Sequence, residues 1–169
     1  MTVTFEVETG SGSPTANSYA SVLNGDDYHE KHLYSTIWTA AETGEKEESL
    51  MMATRLLDDY FAWEGTKTSD TQALDFPRFN VFDKDGFLFQ SGTLPAALID
   101  ATCEFARALL AADRTAETDD RGFSRIKAGP VEIVIDPGDR RPVVPSVVKR
   151  MLSAFGRAVG GASVPLVRV

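Results

Sequence analysis

Residues 43–63 read TGEKEESLMMATRLLDDYFAW, and the spacing of their apolar side chains decides the fold class. Leu50, Ala53, Leu57 and Tyr60 follow one another at intervals of three and four, which places them on one face of a helix. Leu56 and Phe61 widen that face. Thr43 is the candidate N-cap, and Glu45, Glu47 and Glu48 suit the positive end of the helix dipole. Gly65 is a natural stop. Asp58 and Asp59 read as solvated helix charges.

The same period recurs downstream in TLPAALIDATCEFARALLAAD, residues 93–113. Pro95 fits a first helical position, where its missing N–H costs nothing. Leu98, Ala101, Phe105 and Leu109 form the expected buried stripe, widened by Thr102 and Ala108. The abundant alanines point to close packing against another helix. Cys103 falls off the stripe and reads as a small helix-packing residue. Upstream, Ser21 is the candidate N-cap of a short helix over Val22–Leu33, weakened by Gly25. Pro145 can open a last helix that presents Val148, Met151, Leu152 and Phe155. The expected fold is therefore mainly α: a compact bundle of three to four helices.

Strand signals are few. Val3, Phe5 and Val7 alternate with polar residues, and GSGSPTANS after them reads as a flexible turn region. Val131, Glu132, Ile133, Val134 and Ile135 read as a strand bounded by Pro–Gly pairs, with no obvious mate in sequence. A lone strand must add to another sheet, in this chain or a neighbouring one. The terminus SVPLVRV, residues 163–169, raises the same requirement, and the two segments pairing inside one subunit is the simpler alternative. The domain boundary is placed at 1–159 for the helical body and 160–169 for an extended tail.

Between the two main helices lies ALDFPRFNVFDKDGFLFQSG, residues 73–92, with five phenylalanines. Its DKDG fails as a calcium loop, because glycine follows the second Asp directly and the twelfth position is Leu94. Asp85–Gly86 reads instead as a hairpin turn in which Gly86 supplies a positive φ. The phenylalanines then pin the hairpin to the two main helices. As a stacking platform for single strands the stretch is poor in cations, with Arg78 and Lys84 against Asp75, Asp83 and Asp85.

Composition narrows the function classes. The chain has 169 residues, enough for one domain with a core. No apolar run approaches a membrane span, and the N-terminus lacks the basic start and apolar core of a secretory signal. One cysteine excludes an internal disulfide and any multi-cysteine zinc site. The net charge of −8 is uneven: residues 1–60 sum to −8, residues 61–120 to −6 and residues 121–169 to +6. An acidic body with a basic last third suits contact with an acidic partner surface and disfavours free binding to nucleic acid.

Chemistry is thin. Asp26, His29 and His32 could share a helix face, but no fourth metal ligand is evident, and a solvated, partly capping His pair is expected. No Gly-rich phosphate loop occurs. Neither an active site nor a cofactor is expected.

Taken in order, ANSYASV (16–22), EKEESLMMATRLLDDYFAWEGTKTSDTQALDFPR (45–78), VFDKDGFLF (81–89), LPAALIDATCEFARALL (94–110) and GPVEIVI (129–135) carry a resemblance. Trp63, Gly65, Gln72, Ala73, Leu74, Pro77 and Arg78 form its most specific block, followed by Asp85–Gly86 and the helix opened by Pro95. The chain resembles the head–tail connector, or head-completion adaptor, proteins of tailed bacteriophages and prophages. That family often carries the label of a DnaT-like single-stranded-DNA-binding protein. The resemblance spans residues 16–155. The family block usually reads W-P-R, where this chain has Phe76 before Pro77.

The resemblance implies a non-enzymatic helical adaptor in the virion neck, made in the host bacterial cytoplasm. It implies a homo-oligomeric ring, typically of twelve copies, under the portal protein. Such a ring extends the DNA channel, passes DNA without sequence-specific binding, and docks the tail terminator or stopper, with no membrane partner. In that setting Val131, Glu132, Ile133, Val134 and Ile135 should augment a neighbour or the portal. Arg157, Val164, Leu166, Val167 and Arg168 should reach an adjoining acidic surface, and the loop from Gly65 to Gln72 should lie near the ring interface or the tail side. A single-stranded-DNA-binding replication accessory is the alternative, with stacking by Trp63, Phe76, Phe79 or Phe82.

Overall fold

The computed structural model describes residues 3–116, 125–128, 131–134 and 142–159. Five helices lie among them: α1 (Val22–Glu30), α2 (Thr36–Ala40), α3 (Thr43–Tyr60), α4 (Ala96–Ala111) and α5 (Ser146–Met151). Six short strands accompany the helices: β1 (Phe61–Trp63), β2 (Thr66–Lys67), β3 (Arg78–Phe79), β4 (Arg125–Ala128), β5 (Val131–Val134) and β6 (Gly156–Ala158). The mainly α class holds, and no described helix is long and apolar enough to cross a membrane.

Helix α4 is the axis of the body. Residues 101 to 106 are buried without a break, so α4 is covered on every side rather than along one stripe. Helices α1, α2, α3 and α5 all pack on it. Burial of Thr102 is affordable because its hydroxyl donates to Leu98 O at 2.8 Å. Cys103 is fully buried as a packing residue. Leu109 and Ala108 are only half-buried, since the cover thins toward the C-terminal turn.

Helix starts differ from expectation by about one residue. Glu42, not Thr43, caps α3, and the Glu45 carboxylate accepts the Glu42 N–H at 2.9 Å. Pro95 and Pro145 sit at the cap itself, just outside the first helical residues. Ser21 caps α1 with a reciprocal Asn24 pair, but α1 ends at Glu30 instead of Leu33. Gly25 is a requirement of α1 rather than a weakness: a Cβ there would stand 2.2 Å from Cζ2 of the buried Trp38.

Strand pairing was the least legible part. The 131–135 segment has a mate in its own chain: β5 pairs antiparallel with β4, from Arg125↔Val134 to Ala128↔Val131. Of the two possibilities, a mate in this chain or in another, Val131, Glu132, Ile133 and Val134 have the first, while Ile135 lies outside the described residues. Strand β6 was unexpected. It runs antiparallel to β1, with Phe61↔Ala158 and Trp63↔Gly156 in register. Arg157 stands opposite Ala62 in this intrachain ladder, with an exposed side chain. All described strands pair within the chain. Val164, Leu166, Val167 and Arg168 lie outside the described residues.

The N-terminal segment forms an isolated parallel bridge at Val7 with Ser18, and Thr4, Glu6 and Glu8 bond to Asn17 and Ser18 around it. The glycine-rich turn after it is built around Glu8, which is 2% exposed. Its carboxylate accepts N–H groups from Gly10 (2.8 Å), Gly12 (3.0 Å) and Ser13 (2.8 Å). A region read as flexible is thus a closed, hydrogen-bonded loop.

Replacing Gly25 by alanine should push the new methyl into Trp38 and cost about 1–3 kcal/mol. The shift of the urea midpoint, followed by tryptophan fluorescence, measures it.

Candidate functional site

The signature block folds into a loop clamped by its own polar groups. Gly65 has φ +73, and a Cβ there would meet Phe79 O at 2.1 Å, so the β2–β3 crossing needs glycine. The Arg78 guanidinium donates to Glu64 O (2.7 Å), Gly65 O (2.8 Å) and Asp75 O (3.2 Å). Gln72, 5% exposed, donates from Nε2 to Leu74 O and Pro77 O. Its Oε1 accepts from the Thr68 hydroxyl at 2.8 Å and from Ser69 N at 2.9 Å. The Phe76–Pro77 peptide is cis. Trp63 stacks on Phe61 at 5.0 Å and meets Phe76 edge-on at 5.1 Å. These residues hold the loop together; they do not face outward as a stacking platform.

The loop is tied to the body through Tyr19 and Asp58. The Tyr19 hydroxyl donates to Asp58 Oδ1 at 2.6 Å and accepts the Asp75 and Phe76 N–H groups, each at 3.1 Å. Asp75 N also lies 3.1 Å from Asp58 Oδ2. Asp58 is therefore no solvated helix charge. Burial raises its pKa from 3.8 to about 7, outweighing the Tyr19 bond and the Asp75 N–H, which favour the charged form. The Trp63 indole N–H has no partner in hydrogen-bonding geometry, yet lies near enough to the same carboxylate to favour its charged form. Asp59, one residue on, is exposed as expected.

The expected solvated His pair is also corrected. His29 is fully buried, with its ring 4.8 Å from Trp38 and Nε2 3.1 Å from Cys103 O. Burial lowers its pKa. His32 Nε2 lies 3.7 Å from Glu104, whose buried carboxylate also pairs with Arg107. Asp26 turns away to accept from the Trp38 indole and Lys46, both at 2.8 Å. Among the described residues, no group of three or more His, Cys, Asp or Glu could hold a metal ion. Burial pushes the Cys103 thiol up to about 12, which removes it as a nucleophile near neutrality.

Among the described residues, the hairpin carries an exposed apolar cluster. The hairpin forms as expected, with Gly86 at φ +83 and Phe82 bridged to Leu88. Asp83 Oδ1 accepts the Asp85 and Phe87 N–H groups at 2.9 and 2.8 Å and fixes the turn. Its phenylalanines do not all pin it down. Phe89 reaches Phe155, whereas Phe82 and Phe87 are 51% and 72% exposed, beside Leu88 at 63%. Only Phe79 (43% exposed) and Phe82, of the four stacking candidates, present a face to solvent; Phe76 is 1% exposed. Of the nearby cations, Lys67 pairs with Asp75 at 2.9 Å and Arg78 serves the loop carbonyls, while Lys84 on the turn is exposed and has no ion pair among the described residues.

The second open feature is a groove of about 520 Å³ along α3. Met51, Met52 and Leu74 line it, with Glu48, Arg55, Asp58 and Asp59 among the polar members. Sequence reasoning missed it, because Met51 and Met52 fall outside the buried stripe and Leu74 comes from the distant loop.

The Asp58 environment sets a pH dependence. A carboxyl whose pKa is raised on folding contributes stability that is complete below its unfolded value and lost as pH rises through the folded value. Folding stability should thus fall between 3.8 and about 7 through this group. His29, with its lowered pKa, acts in the opposite sense in wild type and variant alike. The urea midpoint of Asp58→Asn, measured across that window, should show less of this decline than wild type.

A sequence model of one family matches residues 3–169, so the match includes the tail that the narrower resemblance left out. No match was found among curated proteins or among solved structures. The clamped signature loop, the hairpin and the alanine-rich α4 all fall within the matched span, and the chain belongs to the family described as "Putative DnaT-like ssDNA binding protein".

Proposed function

We propose that the chain is a structural adaptor of the head–tail connector type, acting by docking and without catalysis. The observation that carries this reading is the projecting hairpin. Phe82, Phe87 and Leu88 are exposed on a turn that Asp83 has already fixed. Exposed apolar side chains on an ordered element serve association, since little conformational freedom is lost on contact. In this role copies of the chain form a closed ring beneath a portal protein, through heterologous contacts, and a stopper or tail protein binds below. DNA passes through without sequence-specific capture, and the acidic balance of the chain, at net −8, suits a channel that does not grip phosphates. The place of action is then the virion neck.

The second reading, a single-stranded-DNA-binding accessory, is favoured by the family description itself. It would rest on Phe79 and Phe82, the two stacking candidates that are exposed. Against it stand the engaged cations around the signature loop and the acidic balance of the body.

A single-stranded oligonucleotide in a gel shift at low and high salt, run beside an assembly assay with the portal protein, separates the two. The adaptor reading expects no shift in either salt, and loss of portal attachment by the Phe82→Ser, Phe87→Ser double variant. A salt-dependent shift that weakens in Phe79→Ala or Phe82→Ala replaces it with the second reading.

A further inference from the structure

We propose that helices α1 and α2 form a cover over α4 that acid releases, with His29 as its trigger. The cover is an outer layer, and Leu23, Leu33 and Ile37 on it are exposed. It is also thinly held. Gly25 and His29 are the buried residues of α1, and Trp38 is that of α2. The two helices are locked to each other, since Trp38 lies against Gly25 and its indole N–H donates to Asp26 at 2.8 Å. A segment with few buried apolar side chains opens at a lower cost than the rest of a fold.

His29 is where the layer meets α4. Its Nε2 donates to Cys103 O at 3.1 Å, and its ring lies 4.8 Å from Trp38 and 5.0 Å from Tyr28. Nδ1 is buried and has no hydrogen-bond partner among the described residues. That arrangement suits a neutral ring. A second proton would enter at Nδ1, where no acceptor waits and solvent does not reach.

The groups around the ring do not rescue the charge. Glu104 on α4 favours it, but that carboxylate already serves Arg107 and His32, and both of these oppose a charged His29. Asp26 on α1 is engaged by Lys46 of α3 and by Trp38. Tyr28 and Cys103 stay neutral, because burial pushes phenol and thiol alike up to about 12. Burial therefore decides the balance and lowers the His29 pKa from its ordinary 6.5. Stability from a base of this kind is complete above 6.5 and is lost as pH falls through the folded value. Asp58 has the opposite sign, so acid firms the junction of α3 with the signature loop while it weakens the contact of α1 with α4. The opening is thus confined to the cover. It is intramolecular and holds under either reading of the protein's role.

Cys103 reports the opening. It is the single cysteine, fully buried, and near enough to Tyr28 on α1 to act on its ionisation. The full chain is treated with dithiodipyridine, which attacks thiols in acid, and the rate is divided by that of glutathione at the same pH. The normalised rate should rise by up to about tenfold for each pH unit below 6.5, until the folded pKa is reached. The far-UV circular dichroism should keep its helical signal over the same range. His29→Gln keeps a donor for Cys103 O but takes up no proton, so its rate should show no acid rise, whatever its value at neutrality. His29→Phe should behave alike, and His32→Gln should keep the rise. A flat profile in wild type overturns the proposal. So does a rise that persists in the His29 variants, or one that accompanies loss of the helical signal.

Discussion

One phenolic oxygen joins three stretches of this chain. The Tyr19 hydroxyl gives its proton to Asp58 on α3 and receives the N–H groups of Asp75 and Phe76 from the signature loop. Around that oxygen everything nearby is fixed. Phe76 is held edge-on to Tyr19 and Trp63, Trp63 lies flat on Phe61, and Phe61 opens the ladder that β6 closes. Without the hydroxyl, the Phe76 amide would lose its acceptor in a buried place, which costs about 1–3 kcal/mol for an unsatisfied group, while the Asp75 amide would keep Asp58 Oδ2. The loop itself is then free to keep no apolar core of its own. It depends on Gln72 and Arg78 for its internal bonds and on Tyr19 for its attachment.

The helical frame was legible because its cause is local. Apolar residues at three and four announce a helix wherever they occur, and α4 and the start of α3 were placed to within a residue or two, whereas α3 ends at Tyr60, short of the expected Gly65 stop, and Phe61–Trp63 form β1. The burial of Leu50, Ala53 and Leu57 followed from the same period. The errors share a different cause. Asp58 and His29 look like ordinary solvated groups in sequence, and only the fold brings a tyrosine or a tryptophan over them. Gly25 reads as a helix breaker until Trp38 is known to lie against it. Strand β4 escaped notice because its alternation of Arg125 and Lys127 with Ile126 and Ala128 is only four residues long. Strand β6 escaped because its partner is nearly a hundred positions away.

The candidate site was less legible than the frame, for a physical reason. The signature residues are distinctive in sequence, and distinctiveness invites a reading as contact residues. In the fold they satisfy one another. The exposed Phe82, Phe87 and Leu88 stand out only once the hairpin is seen to project. The groove needs α3 and the loop at 73–74 together before it exists at all. A family description that speaks of single-stranded DNA and a surface that is acidic and locally apolar pull in different directions, and phosphate contact is the quantity that decides between them.

The turn around Glu8 bears on that quantity. Convergent amides in a glycine-rich loop make the kind of concavity that captures anions, including the phosphates of a nucleic-acid backbone. Here the Gly10, Gly12 and Ser13 amides converge on a carboxylate from their own chain. The host has supplied its own guest. A passing phosphate would have to evict a covalently tethered anion whose effective concentration at the site is far above that of any ligand in solution. This phosphate-like cradle is therefore closed to phosphate, and it is closed by the residue that gives the N-terminal segment its shape.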